Sequence, residues 1–529
     1  MENRTIIAVA LTIALLIAWQ FLMPVKAPQT TAPQKPGQSQ EQGGQLPAAD
    51  RGQATTGGAL PGAVPAPTAE QKAAKQITVE TPKLSIVLGD LGGGITSVRL
   101  KEYKETLGSA KGKEILENMG PYRYIPAVSR SAGSTTVDDA TTFTADRGDI
   151  AVKDKPETLT FSGVLTDGTR VRKTYTFYPD TYTIGLAVQT EGAGQAFTYA
   201  DFAILSLKGK SSYIFKGPFL YNGERLQQIS KLESPVDVDS TYTYAGLDEG
   251  YFSFIFLPQG AKPELLIAKV GDTPVDRFVS RTGQIASTLY FVPNKVSLLK
   301  QLNIGAEKIV DFGWFDVIAK PMLWGMNFAD TFTHNYGVDI ILLTILIKII
   351  FYPLSVKSYK SMKEMQKLQP VVAKLREKYK DDKEKLNKEM MEIYKTRGVN
   401  PLGGCLPMVI QIPVFFALYR VLMGAIEFRH APFVFWIKDL ASPENLFTLS
   451  AAGFSLPIRI LPLIMGITMV IQQKMQPTSV DPMQEKMMLF MPVVFTFLFW
   501  GFPTGLVLYW LVNNVISIGQ QYYINKQVA

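Results

Sequence analysis

The chain has 529 residues, a net charge of +8 and a single cysteine, Cys405, which excludes an intrachain disulfide and a cysteine-based metal cluster. Its mean hydropathy of +0.08 averages two unlike parts, because residues 27–310 resemble a soluble protein whereas the C-terminal third is strongly apolar. The sequence holds only two histidines and no Ser/His, His/Asp or Cys/His set. We therefore predict no catalytic residues, no metal site, no cofactor and no enzyme.

The N-terminus predicts a membrane anchor. Residues 5–23 are uncharged and apolar, and a span takes roughly 20 apolar residues, so we predict an uncleaved transmembrane anchor over 1–26. A cleaved signal peptide is the alternative, because residues 25–27 loosely fit a cleavage site. Residues 27–76 are rich in Pro, Gln, Gly, Ala and Thr, which cannot bury a core, and predict a flexible tether.

Strand patterns predict an all-β domain over residues 77–305. Apolar and polar residues alternate over 171–177 and again over 182–188, with a Pro-Asp turn between them, so we predict a hairpin with one buried face. Further strand-like runs favour a β-sandwich of two packed sheets. Gly92-Gly93-Gly94 is interpreted as a turn, because a phosphate-binding loop would be followed by a helix pattern.

Residues 306–336 predict an amphipathic helix lying in the membrane interface. Apolar side chains recur near helical spacing from Trp314 to Phe332, with charged residues among them. Pro321 is expected to bend this helix. A core helix of the soluble domain is the alternative.

Five further apolar segments follow, and with the anchor they predict six spans. These segments are 337–356, 404–426, 457–475, 487–502 and 504–523. Residues 354–400 carry 13 basic and seven acidic residues, so the positive-inside rule makes this loop cytoplasmic. The predicted fold is an all-α six-span core with an inserted periplasmic all-β sandwich, both termini cytoplasmic. The remaining segments are a periplasmic loop (427–456), a cytoplasmic loop (476–486) and a short cytoplasmic tail (524–529).

A cytoplasmic helical hairpin is predicted over 357–400, because apolar residues recur every three or four positions on both sides of an Asp-Asp turn. Its basic charges form a solvated face, or they attract anionic lipid or ribosomal RNA. Methionines gather on this side; ordinary packing explains some, but flexible thioethers also suit surfaces that accept many apolar partners. The methionines predicted to contact clients are Met362, Met365, Met475, Met483, Met487 and Met488.

Lys348 is a cation inside a predicted span. An ionised lysine in hydrocarbon costs on the order of 2.5–3.5 kcal/mol on insertion scales. Lys348 lies nine residues before Lys357, about 13 Å along a helix, which is too far for its side chain alone to reach bulk water. Thr344 shares its face. With no acidic residue expected inside the spans, we predict a water-filled groove open to the cytoplasm rather than an ion pair.

Other spans supply polar residues for such a groove. Gln411 lies mid-span between two prolines, and Tyr509 and Asn513 are four residues apart on one face of the last span, beside Trp510 and Asn514. We predict that Gln411 and Asn513 line the groove. Helix–helix hydrogen bonding without a further function is the alternative.

Three long motifs carry a family resemblance. They are YPLSVKSYKSMKEMQKLQP, VNPLGGCLPMVIQIPVFFALY and DPMQEKMMLFMPVVFTFLFWGFPTGLVLYWLVNN. In this order they resemble the YidC family of bacterial membrane protein insertases over about 314–523. The anchor, tether and β-domain resemble its Gram-negative form more loosely.

The resemblance implies a five-span core with a hydrophilic groove whose cation is Lys348, where many relatives carry arginine. It implies client contacts at Thr344, Tyr509 and Trp510, and a mobile hairpin at 357–400. The implied partners are nascent membrane proteins, the Sec translocon, the phospholipid bilayer and, weakly, the ribosome because the tail is short; DNA is not expected.

Two other classes of function compete with an insertase. A small-solute transporter or channel predicts an internal repeat together with paired ionisable groups or broken helices at the bilayer midplane. The sequence shows neither, although the prolines of the third span allow a break there. An anchored periplasmic binding or chaperone module predicts that function survives the loss of residues 340–529.

Overall fold

The structure is a computed structural model that describes most of the chain beyond the tether. The described residues are 75–116, 124–129, 141–192, 198–202, 215–238, 241–270, 273–380, 382–398, 406–451, 454–475 and 482–528. The predicted anchor, Cys405 and all but the last two residues of the predicted tether lie outside them.

Strands build the first half of the described chain. They are β1 (Gln76–Glu80), β2 (Leu84–Gly89), β3 (Gly94–Lys104), β4 (Gly112–Glu114), β5 (Ala127–Ser129), β6 (Thr144–Ala145), β7 (Ile150–Ala151), β8 (Glu157–Val164), β9 (Arg170–Phe177), β10 (Thr183–Glu191), β11 (Thr198–Phe202), β12 (Gly217–Tyr221), β13 (Leu226–Gln228), β14 (Val236–Val238), β15 (Tyr244–Asp248), β16 (Phe252–Pro258), β17 (Glu264–Val270), β18 (Thr273–Ser280) and β19 (Gln284–Pro293). The all-β prediction for this region is confirmed.

These strands form three sheets rather than the predicted two. A nine-stranded sheet has the order β13-β12-β15-β16-β19-β10-β9-β8-β6, and two five-stranded sheets have the orders β4-β3-β2-β1-β7 and β14-β17-β18-β11-β5. Phe202 and Phe278 of the last sheet stack on Phe254 and Phe256 of the nine-stranded sheet, which makes one aromatic core between two sheets. Alternation along single strands predicts a buried face but not how many sheets share it, so the two-sheet prediction was wrong.

The predicted hairpin is confirmed by the antiparallel pairing of β9 with β10. Its inward face includes Lys173, which is fully buried. The Lys173 Nζ donates to the carbonyl oxygens of Gly92 (2.7 Å) and Pro126 (2.8 Å), and it lies over the Tyr124 ring. These partners replace the water that a buried ammonium loses, so a lysine is tolerated in the core.

The glycine triplet is a turn between β2 and β3, as predicted. Gly92 and Gly93 have φ angles of 72° and 56°, in the left-handed region that favours glycine. A Cβ on Gly92 would lie 1.8 Å from the Tyr124 ring, so packing also demands glycine there.

Helices build the second half. They are α1 (Val296–Gln301), α2 (Asp316–Thr333), α3 (Tyr336–Ile350), α4 (Tyr352–Lys378), α5 (Lys383–Thr396), α6 (Leu406–Gly424), α7 (Leu461–Lys474), α8 (Pro482–Phe499) and α9 (Thr504–Val528). Short 3₁₀ turns occur at Ala306–Ile309, Gly313–Phe315 and Ile426–Phe428, and a last hairpin joins β20 (Phe447–Ala451) to β21 (Phe454–Ile458).

Helix α2 differs from the single apolar face that was predicted. Met322 packs inside the protein with Leu323, whereas Trp324 and Phe328 are exposed, as is Trp314 just before the helix at 98% exposure. Apolar side chains therefore occupy both the packed and the open side of α2. Pro321 lies within the helix, which runs unbroken from Asp316 to Thr333.

The segment predicted as one span over 337–356 is broken. Helix α3 ends at Ile350, and α4 leaves at an angle of 63°. Pro353 sits in the first turn of α4, where its missing N–H is harmless, but it could not continue α3. Among the described helices, none taken singly has the length and apolar content of a membrane span, and α3 with α4 meets that test only as a bent pair.

Three other predicted boundaries need correction. The predicted loop at 427–456 and the start of the predicted span at 457–475 hold the β20–β21 hairpin, and α7 begins only at Leu461. Helix α8 begins at Pro482, inside the predicted cytoplasmic loop. Helix α9 continues to Val528, so the predicted tail is helical.

Helix α9 lies at the centre of the helical part, packed against α3, α6 and α7. Helix α7 also packs against α8, and a Cβ on Gly466 would lie 2.1 Å from the Thr496 hydroxyl oxygen, so this crossing requires glycine. The prediction that no acidic residue lies inside a span was wrong, because Asp339 is buried in the first turn of α3. Its Oδ1 accepts a hydrogen bond from the Thr333 hydroxyl at 2.6 Å.

Arg429 fastens the β-domain to the helical part. Its guanidinium donates to the carbonyl oxygens of Lys104 and Glu105, both at 2.8 Å, and lies over the Phe252 ring. A small polar cavity lies at the same junction, lined by Asp248 and Asn294 of the β-domain and by Arg420 of α6. Arg420 of α6 therefore faces the β-domain.

Asp248 should make stability depend on pH. Burial raises the pKa of its carboxyl from 3.8 to about 7, although hydrogen bonds from Gly250, Asn294 and Ser253 lower it. An acid whose folded pKa is raised binds a proton on folding, so stability is full below about pH 4 and falls as pH rises through about 7, by up to about 1.4 kcal/mol per pH unit.

Asp248→Asn keeps an oxygen acceptor but cannot ionise, so we expect it to flatten this dependence. Thermal unfolding of the detergent-purified chain between pH 5 and pH 8, followed by circular dichroism, measures it. Asp237→Asn, at an exposed position of β14, is the matched control. An unchanged pH slope in Asp248→Asn would contradict the prediction.

Candidate functional site

A row of polar side chains follows one face of α9. Tyr509, Asn513 and Ser517 are spaced four residues apart, so they lie one above another on that face, and all three are buried. Inside an otherwise apolar helix bundle, such groups require hydrogen-bond partners. We call these three residues, with the partners described next, the polar strip.

Gln411 of α6 contacts the N-terminal end of the polar strip, at Tyr509 and Asn513. Its Nε2 donates to the Tyr509 hydroxyl oxygen and to Asn513 Oδ1, both at 2.7 Å. Gln411 is therefore in direct contact with Asn513, the other residue predicted to line a groove, and with Tyr509.

Lys348 of α3 contacts the C-terminal end of the polar strip, at Ser517. Its Nζ donates to Ser517 Oγ at 2.7 Å, and Ser517 Oγ donates to the Asn513 carbonyl oxygen at 2.7 Å. Tyr359 of α4 also hydrogen-bonds to Ser517. Among the described residues, Lys348 has no acidic partner within ion-pair distance, so its charge is met only by neutral oxygens.

Ser517 was missed by the sequence analysis, although a signal was present. It lies one turn beyond Asn513, exactly as Asn513 lies one turn beyond Tyr509. A serine in a long apolar helix is common and usually bonds to the backbone of its own helix, so the residue type alone does not indicate a polar site.

Thr344 and Trp510 stay apart from the polar strip. Thr344 is fully buried, and its hydroxyl donates to the Ile340 carbonyl of its own helix at 2.6 Å. The Trp510 ring packs against Phe415 and Phe499, and its Nε1 has no partner among the described residues. Thr344 would have to change its surroundings to touch a client, whereas Trp510 is half-buried.

Asn514 points to a different neighbour from Asn513. Its Nδ2 donates to the Thr468 hydroxyl of α7 at 3.2 Å. The two consecutive asparagines therefore have distinct roles in this structure: Asn513 belongs to the polar strip, and Asn514 holds α9 to α7.

The six methionines are only partly covered by the structure. Met362 and Met365 are half-buried on α4, and Met475 is half-buried just after α7. The backbone of α8 contains Met483, Met487 and Met488, but their side chains lie outside the described part of the chain. Their common role in client contact stays a prediction.

Comparison with known proteins decides the family. The profile of the 60Kd inner membrane protein family matches residues 328–529, and that of the YidC periplasmic domain matches residues 76–325. The Membrane protein insertase YidC of Geobacter metallireducens is 40% identical over 555 residues, which covers 100% of this chain and 99% of the relative. The chain belongs to the YidC family.

A second YidC relative is similar over the full length. The Membrane protein insertase YidC of Citrifermentans bemidjiense is 40% identical over 100% of both chains. A solved structure, "Active YidC insertase crystal structure with the first transmembrane domain resolved", is 20% identical with a TM-score of 0.40, covering 86% of this chain and 93% of that one. The YidC-family profile of the helical part describes an inner membrane protein, so this chain belongs to the inner membrane.

Proposed function

We propose that this chain is an insertase that helps nascent proteins to enter and fold in the inner membrane, alone or with the Sec translocon. Relatives with 40% identity over the whole chain carry the name membrane protein insertase, which supports the general activity. The observation that carries the mechanism is Lys348, a cation on an apolar helix that is bonded to a hydroxyl instead of an acid.

The polar strip is proposed as the site that receives a client once the helices around it move apart, because its α9 residues are buried in this structure. A polar segment crossing hydrocarbon leaves backbone groups unsatisfied, at several kcal/mol for each. Gln411, Asn513 and Ser517 offer donors and acceptors that can exchange with such groups, and Lys348 attracts an acidic tail. A single fixed cation without a surrounding binding cage makes few specific contacts with a client, which suits transient binding of many different polar or acidic segments.

The proposed topology follows the basic charge of residues 354–400. That charge keeps α4 and α5 in the cytoplasm, so α3 and α6 enter the bilayer from that side and the β-domain lies in the periplasm. In this orientation the end of the polar strip that holds Lys348 lies toward the cytoplasm, where clients emerge. Anionic lipid headgroups are proposed neighbours of the basic hairpin, with weak or transient ribosome contact.

Deletions test this function against an anchored periplasmic module. We expect replacement of residues 77–304 by a flexible linker to retain substantial insertion, whereas deletion of residues 340–529 abolishes it, because the polar strip lies wholly in the second region. Purified variants in liposomes, with a single-span client and protease protection of its translocated tail, measure the effect. Release of trapped small solutes without client insertion would instead favour a transporter or channel.

A further inference from the structure

The β20–β21 hairpin is strongly two-faced. Cross-strand partners share a face of a hairpin, and the register pairs Phe447 with Ile458, Leu449 with Leu456 and Ser450 with Ser455. One face is therefore apolar and the other carries hydroxyls.

The apolar face is open. The exposed fractions of Phe447, Leu449 and Leu456 are 53%, 56% and 42%. On the opposite face, the Ser450 and Ser455 hydroxyl oxygens are 3.2 Å apart. A soluble protein rarely leaves such a continuous apolar face in water, so a partner must cover it.

The base of the hairpin is held firmly. The buried carboxylate of Glu444 accepts hydrogen bonds from the backbone N–H groups of Ile460 (3.1 Å) and Leu461 (2.7 Å) and from the indole N–H of Trp436. These contacts tie the start of β20 to the first turn of α7. The dipole of α7 also stabilises a carboxylate at this N-terminal end. The hairpin is therefore a fixed projection whose position relative to α7 is set.

The open face continues into the open face of α7. Leu463, Ile467 and Ile471 are exposed at four-residue spacing on α7, which begins three residues after β21. From Asn445 to Gln473 the sequence has one charged residue, Arg459. A surface this apolar and this poor in charge fits lipid, and a lone cation at the foot of the hairpin fits the level of the phosphates.

We propose that the β20–β21 hairpin lies flat at the polar–apolar boundary of the bilayer, with its apolar face on lipid acyl chains and its serine face toward water. The outer edges of a two-stranded sheet leave unpaired backbone N–H and C=O groups, which hydrocarbon does not tolerate. The hairpin therefore stays at the headgroup level, and it fixes the depth of α7. In the proposed topology this is the periplasmic leaflet.

A matched pair of neighbouring positions tests this placement. In the full chain carrying Cys405→Ser, Leu449→Cys and Ser450→Cys are each labelled with an environment-sensitive fluorophore and reconstituted in phosphatidylcholine liposomes. Nitroxide lipids, labelled near either the headgroup or the methyl end of the chain, and aqueous iodide are the quenchers. Retained client insertion by each labelled protein verifies that it is folded.

We expect the label at Leu449→Cys to be quenched several-fold more by the shallow nitroxide than by iodide, and the label at Ser450→Cys to show the reverse. Equal iodide quenching at both positions would overturn the proposal, because the hairpin would then project into water. Stronger quenching of both labels by the deep nitroxide would overturn it as well. So would protection of the first label from every quencher, which indicates cover by protein or by a second copy.

Discussion

Lys348→Glu is expected to abolish insertion of a client with an acidic tail, and Lys348→Ala to lower it at least about tenfold. Loss of one charge-assisted interaction removes about 1.5–3 kcal/mol, and about 1.4 kcal/mol corresponds to a factor of ten. Glutamate adds repulsion of the tail. Lys348→Arg should retain most activity, because guanidinium keeps the charge and can still donate to Ser517.

The measurement is the yield of protease-protected tail in liposomes with equal amounts of each purified variant. Lys300→Glu, the same reversal at an exposed position of α1, controls for net charge and should behave as the unmodified protein. Equal client insertion by the unmodified protein and all three Lys348 variants would contradict the prediction. The positive charge would then have no part in insertion, and thinning of the bilayer beside an apolar surface would be the mechanism.

The second large effect is expected from one of two adjacent asparagines. Asn513→Leu removes the side-chain oxygen that accepts from Gln411 in the middle of the polar strip, but keeps the main-chain carbonyl that accepts from Ser517. Asn514→Leu removes only the hydrogen bond to Thr468 on α7. Each change removes one hydrogen bond, worth about 0.5–1.5 kcal/mol, while Gln411 keeps its bond to Tyr509 and Thr468 its bond to Met465, so the two should destabilise the protein similarly.

Insertion should separate the two variants. We expect Asn513→Leu to lower insertion several-fold and Asn514→Leu to leave it close to that of the unmodified protein, at equal loss of thermal stability. Unfolding midpoints and insertion yields are measured on the same preparations. Equal losses of insertion in both would mean that these asparagines serve helix packing alone.

Local spacing predicted part of the polar strip, because Tyr509 and Asn513 lie four residues apart on one face of α9. Gln411 contacts both, as polar groups inside apolar helices need partners, but the role of these residues in receiving a client stays a proposal. Ser517 follows the same spacing, but its bond to Lys348 joins residues 169 positions apart, and no local pattern encodes that contact. Thr344 was assigned to the same face as Lys348, yet its small side chain bonds to its own helix instead.

Two predicted element boundaries were wrong although the sequence contains a local signal for each. Pro353 marks the break after α3, and Phe447 and Leu449 alternate with polar residues in β20. The number of sheets could not be predicted from the sequence, because it depends on which strand faces pack against one another, as Phe202 packs against Phe254. Long-range packing of this kind is decided by the whole core rather than by any one segment.

The role of the Lys348 charge is tested by varying it together with the charge of the client. A single-span client with an acidic tail, and the same client with a neutral tail, are inserted into liposomes that hold either the unmodified protein or Lys348→Ala. We predict that Lys348→Ala lowers insertion of the acidic tail at least several-fold more than that of the neutral tail. Equal losses for both tails would contradict the account, because the positive charge of Lys348 would then have no part in receiving the client.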